Sequence, residues 1–278
     1  MDLPLPPGLY VVATPIGNLG DLSPRAADAL RGADRILAED KRVSAKLLAH
    51  AGAKAPMSVY NDHSSEAERQ AIVARLGSEA IALISDAGTP LISDPGYKLV
   101  RAARDAGHAV YTLPGPSAAI AALTLAGLPT DRFLFLGFLP PKAKARADAV
   151  AEVAAIRATL VLYESGPRLG QTLAALAHGL GPREAAVARE ISKLHEETVT
   201  GTLSELAERY ASAAPRGEIV IVVGPPAAGQ AASEAELDGA LDEALARLSP
   251  SRAAAEVAER LDVPRKRAYA RALERSGK

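Results

Sequence analysis

Ile81-Ala-Leu-Ile-Ser85 runs without a break into Asp86-Ala-Gly-Thr-Pro90, and Leu91-Ile-Ser-Asp-Pro-Gly96 then leads into an apolar-periodic stretch from Gly96 to Ala106. A short apolar run bounded by turn residues predicts a buried strand. The small and acidic residues after it predict a loop at the strand's carboxyl end, and Asp94-Pro95 reads as a helix cap followed by proline at the first helical position. Strand, loop and helix in that order form the repeating unit of an α/β sheet. The unit recurs outward in both directions. Strands are expected at Leu9–Thr14, Arg35–Ala38, Ile81–Ser85, Ala109–Leu113, Phe133–Gly137, Thr159–Tyr163, Ala185–Arg189 and Glu218–Val223. Helices are expected near Pro24–Arg31, Val43–Ala51, Glu66–Leu76, Gly96–Ala106, Ser117–Ala126, Ala143–Ile156, Arg168–His178 and Ser204–Ala211. Alternation sustained over this length predicts an α/β fold with largely parallel pairing.

Two gaps divide the series. Gly127-Leu-Pro-Thr-Asp131 separates two complete strand–helix runs, and Gly224-Pro-Pro-Ala-Ala-Gly-Gln230 reads as a linker. We therefore expect an α/β domain over 1–127, a second over 128–226 and a helical, partly basic tail over 227–278. From Pro250 to Lys278 eight Lys/Arg stand against four Asp/Glu, a net of +4. Ser249-Pro250 caps one apolar stripe (Ala254, Val257, Ala258, Leu261), Asp262-Val-Pro264 turns the chain, and Ala268, Tyr269, Ala272 and Leu273 form a second stripe. Two short helices joined this way, with Arg265-Lys266-Arg267 opening the second, read either as a helix-turn-helix that meets nucleic acid or as a solvated hairpin.

The 278 residues, 48% hydrophobic and 23% charged, describe a globular chain of about two domains. With 32 basic against 33 acidic residues the chain is no polycationic nucleic-acid coat. The absence of cysteine excludes disulfides, thiolate metal sites and cysteine nucleophiles. The five histidines form no H-E-x-x-H pair, so no metal is expected. The opening Met-Asp-Leu-Pro-Leu-Pro-Pro-Gly lacks the marks of a signal peptide, and no apolar run reaches the ~18 residues of a membrane span. The expected location is the cytoplasm.

Chemistry concentrates at strand ends. Thr14-Pro-Ile-Gly-Asn-Leu-Gly20, Glu39-Asp-Lys-Arg42, Ser85-Asp-Ala-Gly-Thr-Pro90 with Ser93-Asp-Pro-Gly96, and Pro114-Gly-Pro-Ser117 all follow expected strands in the first half. Ligands of open α/β sheets bind in the crevice at the strands' carboxyl ends. Helix N-termini there offer unpaired N–H groups, and glycines let the backbone approach a ligand. Ser65-x-x-Glu68, by contrast, reads as a capping box serving its own helix. Gly17-x-x-Gly20 lacks the Lys-Ser/Thr of a phosphate loop, and no G-x-G-x-x-G follows the first strand, which argues against a nucleotide triphosphatase or nicotinamide dehydrogenase.

Thr14-Pro-Ile-Gly-Asn-Leu, Ala38-Glu-Asp-x-Arg42, Ser85-Asp-Ala-Gly-Thr-Pro-x-Ile-Ser-Asp-Pro-Gly96, Leu113-Pro-Gly-Pro-Ser117, Gly127-Leu-Pro-Thr-Asp-Arg132, Phe138-Leu-Pro, Tyr163-Glu164 and Ala188-Arg-Glu-x-x-Lys193 occur in that order. Together they resemble the bacterial small-subunit ribosomal RNA (cytidine-2′-O)-methyltransferases of the tetrapyrrole-methylase superfamily, from about Gly8 to Gly224. The resemblance implies two α/β/α domains of the tetrapyrrole-methylase type, a homodimer, S-adenosyl-L-methionine as cofactor, and methylation of a decoding-centre cytidine in 16S ribosomal RNA, within the small subunit. It further implies that Asp86, Ala87, Gly88, Ile92, Asp94, Ser117 and Ala118 contact the cofactor, with Tyr163 and Ala188, at strand ends of the second domain, closing over its adenine side or facing the RNA. Two positions depart from the usual pattern. Lys41 stands where threonine is common, and Gly166-Pro167 precedes Arg168 where a histidine is frequent.

Methyl transfer from a sulfonium to a ribose hydroxyl needs alignment and a base for the hydroxyl proton. Glu39, Asp40, Glu164, Lys41 and Lys193 are the available bases, with Asp40, Glu164 and Lys41 assigned the catalytic role. Asn18, Arg25, Arg42, Arg168, Arg189 and Lys193 are assigned to the RNA, with Lys142, Lys144 and Arg146 extending the phosphate track. Two rivals stay open: a methyltransferase of the same fold acting on a tetrapyrrole precursor, and a catalytically silent RNA-binding protein.

Overall fold

The computed structural model describes residues 5–212, 214–226, 234–261 and 263–276. The chain forms two compact units, Met1–Gly224 and Pro225–Lys278.

The first unit holds two five-stranded sheets. In the first, β1 (Gly8–Val12), β2 (Arg35–Ala38), β3 (Met57–Val59), β4 (Ala80–Leu83) and β5 (Val110–Leu113) are arranged β3-β2-β4-β1-β5. All four pairings are parallel. Both faces of this sheet are covered, which is why its central strands read as unbroken apolar runs. Tyr10, Val12, Ile36, Ala38, Ala82 and Ile84 pack with α1 (Pro24–Gly32) and α2 (Lys41–Ala51). Leu9, Leu37, Ile81 and Leu83 face the other way, toward α3 (Glu66–Val73) and α4 (Tyr97–Asp105). Because β4 lies between β1 and β2, the strand order reverses beside β1, and the loops after β1 and β4 emerge next to each other. Thr14 and Gly88 join those loops by a pair of backbone hydrogen bonds of 2.8 and 3.1 Å.

The second sheet contains β6 (Phe133–Phe138), β7 (Thr159–Ser165), β8 (Glu184–Arg189), β9 (Glu197–Thr202) and β10 (Glu218–Val223), in the order β6-β7-β10-β8-β9. Its pairing corrects the expectation of a largely parallel arrangement. Only β6 and β7 are parallel; β10 runs antiparallel to both β7 and β8, and β8 and β9 form a hairpin. The hairpin is closed by the short Glu190–Glu196 segment, too short for a crossover helix. The helices α6 (Ala143–Val153), α7 (Gly166–Leu180) and α8 (Leu203–Tyr210) cover one face.

The other face is covered by α5 (Ala118–Ala126), whose Ala119, Ala122, Leu123 and Ala126 pack on Val161, Ala186, Ala188, Val220 and Val222. A division after residue 127 assigns α5 to the first half, whereas its buried side serves the second sheet. Packing changes partner at the Leu113–Ser117 turn instead.

Two strands were not expected, β3 and β9, and both are sheet edges. Edge strands need only one apolar side, and here they are the short Met57-Ser-Val59 and the threonine-rich Glu197-Thr-Val-Thr-Gly-Thr202.

The second unit is three helices, α9 (Glu234–Leu245), α10 (Pro250–Leu261) and α11 (Arg265–Arg275), around a core of Leu237, Leu241, Ala254, Val257, Ala268 and Ala272. The expected turn includes Asp262 and the expected linker includes 227–230, all outside the described residues. Val263 N–H donates to the Ala258 carbonyl at 3.1 Å as α10 ends. Part of the unit's positive charge is spent internally. Arg271 grips Asp238, and Arg275 grips Asp238 and Asp242, tying α11 to α9. No helix among the described residues is long and apolar enough to cross a membrane.

Candidate active site

The loops at the carboxyl ends of β1 and β4 are locked by their own hydroxyls. Thr14 Oγ1 donates to the Ser85 and Gly88 carbonyls, and Ser85 Oγ to the Gly88 carbonyl, each at 3.3 Å. Thr89 Oγ1 donates to the Pro116 carbonyl at 3.0 Å, fixing this loop to the turn before α5. Gly88 has φ +83°, a conformation that side chains resist.

These loops form one wall of a cleft of about 240 Å³. Ile16, Asp86–Thr89 and Ile92–Asp94 supply that wall, and Ser117 and Ala118 open α5 into it. The opposite wall comes from the second sheet: Phe138, Tyr163, Glu164, Ile191, Glu218, Ile219 and Val220. A second cleft of about 270 Å³ continues from it, sharing Ile16, Asp86, Ala87 and Glu218. Its remaining walls are Thr14, Pro15, Gly17 and Leu19 after β1, Val43, Lys46 and Leu47 on α2, and Lys193.

Backbone strain marks the same place. The four described non-glycine residues with positive φ are Leu91 (75°), Ser93 (62°), Glu190 (52°) and Ser192 (66°). Each pair brackets one isoleucine, Ile92 or Ile191, that lines the first cleft from opposite halves. Such conformations cost about 1–3 kcal/mol each and persist where surrounding structure enforces them.

The first cleft is lined by four carboxylate residues, Asp86, Asp94, Glu164 and Glu218, and by no lysine, arginine or histidine. Burial, reinforced by the negative charges of Glu39, Asp86 and Asp62, pushes Asp94 up to about 6, against an opposing hydrogen bond from Ser85. Glu39 is likewise raised, first by burial and then by Asp86, Asp62 and Asp40. Asp40 behaves oppositely, because hydrogen bonds from the Arg42 side chain and backbone hold its carboxyl below the usual range. Burial also pushes the Tyr163 phenol up.

Of the residues assigned to the cofactor, Asp86, Ala87, Gly88, Ile92, Asp94, Ser117, Ala118 and Tyr163 come together in this cleft. Ala188 does not. It is 1% exposed, because its position on β8 turns it into the packing beneath α5.

The assigned bases separate. Glu164 lines the cleft, but its side chain is fully buried and committed elsewhere. Its Oε1 accepts from Ser165 N–H at 2.8 Å and its Oε2 from Thr172 Oγ1 at 2.6 Å, with Arg168 Nε 3.4 Å away. It therefore anchors the start of α7, and its carboxylate is closed off from a substrate hydroxyl by burial. Asp40 caps α2, accepting from Arg42 N–H at 2.8 Å, while its own N–H donates to Asp86 Oδ1 at 3.2 Å. Lys41 is exposed at the first position of α2.

The residues assigned to RNA also divide. Arg168 donates to the Leu139 carbonyl at 2.6 Å, and Arg189 pairs with Glu197 at 3.0 Å. Both guanidinium groups thus engage acceptors of the fold, although Arg168 Nε is buried without a hydrogen-bond partner. Arg146 is 6% exposed and donates to the Pro141 carbonyl, so it adds nothing to a surface track beside the exposed Lys142 and Lys144. Asn18 caps the 3-10 turn Leu19–Asp21 by accepting from Gly20 N–H at 3.0 Å. Arg25 and Arg42 are exposed on α1 and α2. Lys193 reaches Glu190 at 2.9 Å and Glu218 at 2.8 Å and lines the second cleft.

Sequence reasoning missed the second sheet's share of the cleft, Phe138, Ile191, Ile219 and Val220, because apolar residues at strand ends look like core. Among the described residues no group of three or more His, Cys, Asp or Glu is placed to hold a metal ion.

Comparison with known proteins places these features. Residues 8–207 match the family Tetrapyrrole (Corrin/Porphyrin) Methylases, and residues 231–276 match the RsmI C-terminal HTH domain. Relatives named ribosomal RNA small subunit methyltransferase I include one from Erythrobacter litoralis, 52% identical over 98% of this chain and 96% of its own. Another, from Mesorhizobium japonicum, is 47% identical over 98% of this chain and 93% of its own. Among solved structures, a diphthine synthase aligns with a TM-score of 0.61 at 15% identity, over 78% of this chain and 89% of that one. A uroporphyrin-III-C-methyltransferase from Thermus thermophilus gives 0.56 at 23% identity, over 78% and 93%. At those identities the two structures share the fold with this chain.

Proposed function

The chain belongs to the tetrapyrrole (corrin/porphyrin) methylase family, among the relatives named ribosomal RNA small subunit methyltransferase I, and on that premise we propose that it methylates a cytidine 2′-oxygen in 16S ribosomal RNA with S-adenosyl-L-methionine. The observation that carries this reading is the charge of the first cleft, whose lining has carboxylates and no cationic side chain. Such a lining fits a ligand bearing a sulfonium and an ammonium group and disfavours a polyphosphate. Ile16, Ile92, Ile191, Phe138 and Tyr163 supply the apolar surface that an adenosine needs. When bound, S-adenosyl-L-methionine supplies an electrophilic methyl group.

The chain's own residues do the rest. Asp86 and Asp94 hold the positive end of the ligand, and the locked Thr14–Gly88 pairing keeps Asp86 in place. Asp86 is shared with the second cleft, where Pro15, Ile16, Val43 and Leu47 give an apolar floor and Lys46 gives positive charge, while Lys193 is paired with Glu190 and Glu218. That combination suits a nucleotide, with a base against the floor and a phosphate near Lys46. Alignment of donor and acceptor across adjoining clefts accounts for much of the rate. Asp40, joined to Asp86 through its N–H, is the proton acceptor we assign at the acceptor side. Arg42 keeps it ionised at neutral pH. Glu164 is left out of the chemistry. We take the working form to be a homodimer, which sedimentation measures.

The test is direct. Purified protein, methyl-labelled cofactor and unmodified small ribosomal subunits should give label on one cytidine 2′-oxygen. Asp40→Asn should lower kcat by about 10²–10⁴-fold with little change in cofactor affinity. An unchanged kcat would remove Asp40 from the mechanism.

A further inference from the structure

The Glu190–Glu196 turn that closes the β8–β9 hairpin is held from several sides. Lys193 N–H donates to the Glu190 carbonyl at 3.0 Å, and Glu196 N–H to the Lys193 carbonyl at 3.2 Å. Ser192 N–H donates to the Glu196 carboxylate at 2.6 Å, and Ser192 Oγ donates to the Asp21 carboxylate on the first half. Lys193 bridges Glu190 and Glu218, and its stem lies so close to Gly17 that a Cβ there would sit 2.4 Å from Lys193 Cγ. Glu190 and Ser192 pay for this shape with positive φ.

At the tip of this braced turn stands Leu194, 92% exposed, with His195 exposed beside it. A large apolar side chain on a mobile loop can fold back onto the surface; here the turn's own bonds hold it out. The neighbouring carboxylates are engaged by donors: Glu190 by Lys193, Glu196 by Ser192, and Glu197 by Arg189. The tip therefore presents an aliphatic side chain and an aromatic ring. The residue immediately before it, Lys193, lines the second cleft.

We propose that Leu194 and His195 form a wedge that enters the base stack of the RNA beside the target nucleotide and holds that nucleotide turned out toward the second cleft. This rests on the ribosomal RNA reading above. Proteins that work on stacked nucleic acid insert apolar side chains between base steps, and exposed bases stack on aromatic rings. A nucleotide paired and stacked in folded RNA must leave its stack to enter a cleft, and the gap it leaves is refilled by the inserted group. Both side chains are positioning residues and touch no reacting atom.

The experiment compares wild type, the double variant L194A/H195A and the conservative L194M/H195F on unmodified small subunits. It measures kcat/KM for methyl transfer, cofactor affinity by calorimetry, and oligomeric state by sedimentation. The alanine variant should lose roughly tenfold or more in kcat/KM, the loss that deleting a stacked side chain brings. Its cofactor affinity and oligomeric state should stay at the wild-type value, and L194M/H195F should stay within about twofold of wild type, since it keeps bulk and apolarity at the tip. Three results overturn the wedge: an alanine variant within twofold of wild type, a conservative variant that falls as far as alanine, or an alanine variant whose oligomeric state changes. The last would make the tip a contact between copies of the chain. A wild-type protein that labels no subunit defeats the RNA reading itself, before any variant is compared, and the wedge with it.

Discussion

Replacing Asp94 by asparagine should make the protein more stable and its cofactor site weaker. Asp94 lines the first cleft, where burial and the neighbouring acids Glu39, Asp86 and Asp62 move it from 3.8 to about 6. A carboxyl raised on folding binds its proton more tightly in the folded state, so its ionised form is penalised there. The penalty is absent below 3.8, grows between 3.8 and about 6, and is complete above about 6. At about 1.4 kcal/mol per pH unit it amounts to some 3 kcal/mol before screening, and partial exposure reduces it to about 1–2 kcal/mol. Asparagine keeps an acceptor for Ser85 and carries no charge. In urea unfolding, D94N should gain about 1–2 kcal/mol at pH 7.5 and clearly less at pH 5. A unit of this size should melt roughly 2–8 °C higher at the upper pH. The same charge attracts a cationic ligand, so calorimetry at pH 7.5 should find cofactor affinity lower by roughly tenfold. A variant less stable at pH 7.5, or a gain that shrinks as pH rises, would refute the reasoning about this group. Stability rising while affinity falls is the signature of a residue strained for function.

Glu164→Gln should destabilise the protein by about 1–3 kcal/mol, because it removes the buried carboxylate that accepts from Ser165 and Thr172 and faces Arg168, and a lowered melting temperature measures this. A melting temperature equal to wild type would restore Glu164 to consideration as a working acid or base. Gly166→Ala should cost at least about 1–3 kcal/mol, since its Cβ would sit 1.7 Å from the Pro215 carbonyl oxygen and backbone must move; the midpoint of a denaturant titration reports it. Methyl transfer to subunits should fall about tenfold or more in kcat/KM between about 50 and 200 mM salt, while cofactor binding changes far less. Activity flat in salt would remove phosphate contacts from the account of RNA binding.

The central strands were legible because burial on both faces leaves an apolar run that turn residues then end. Ile81–Ser85 with Asp86-Ala-Gly88 is the clearest case, and the loop expected from it lines the cleft. What remained hidden was mostly a matter of partners that sequence spacing does not name. β3 and β9 carry little apolar signal because one is only Met57-Ser-Val59 and the other is rich in threonine, which edge positions tolerate. Strand–helix alternation says nothing of which strand inserts where, so β10's antiparallel place between β7 and β8 could not be read. Ala188 and Tyr163 both stand level with Val220 on the face that α5 covers, and only the longer tyrosine reaches the cleft. Glu164 and Arg168 did carry a signal, the i,i+4 spacing of an ion pair at a helix start. That spacing argues for an internal pair over a base and a phosphate ligand. Ile191 and Val220 carried none, since lining a cleft and filling a core ask for the same residue types.

The most direct test of the central claim is mass mapping of label after purified protein meets methyl-labelled S-adenosyl-L-methionine and small ribosomal subunits that lack the modification. The account predicts one labelled cytidine in 16S ribosomal RNA, with the label on its 2′-oxygen. Cofactor binding without any label on the subunit RNA would contradict it and direct attention to a tetrapyrrole or other small-molecule acceptor in the second cleft.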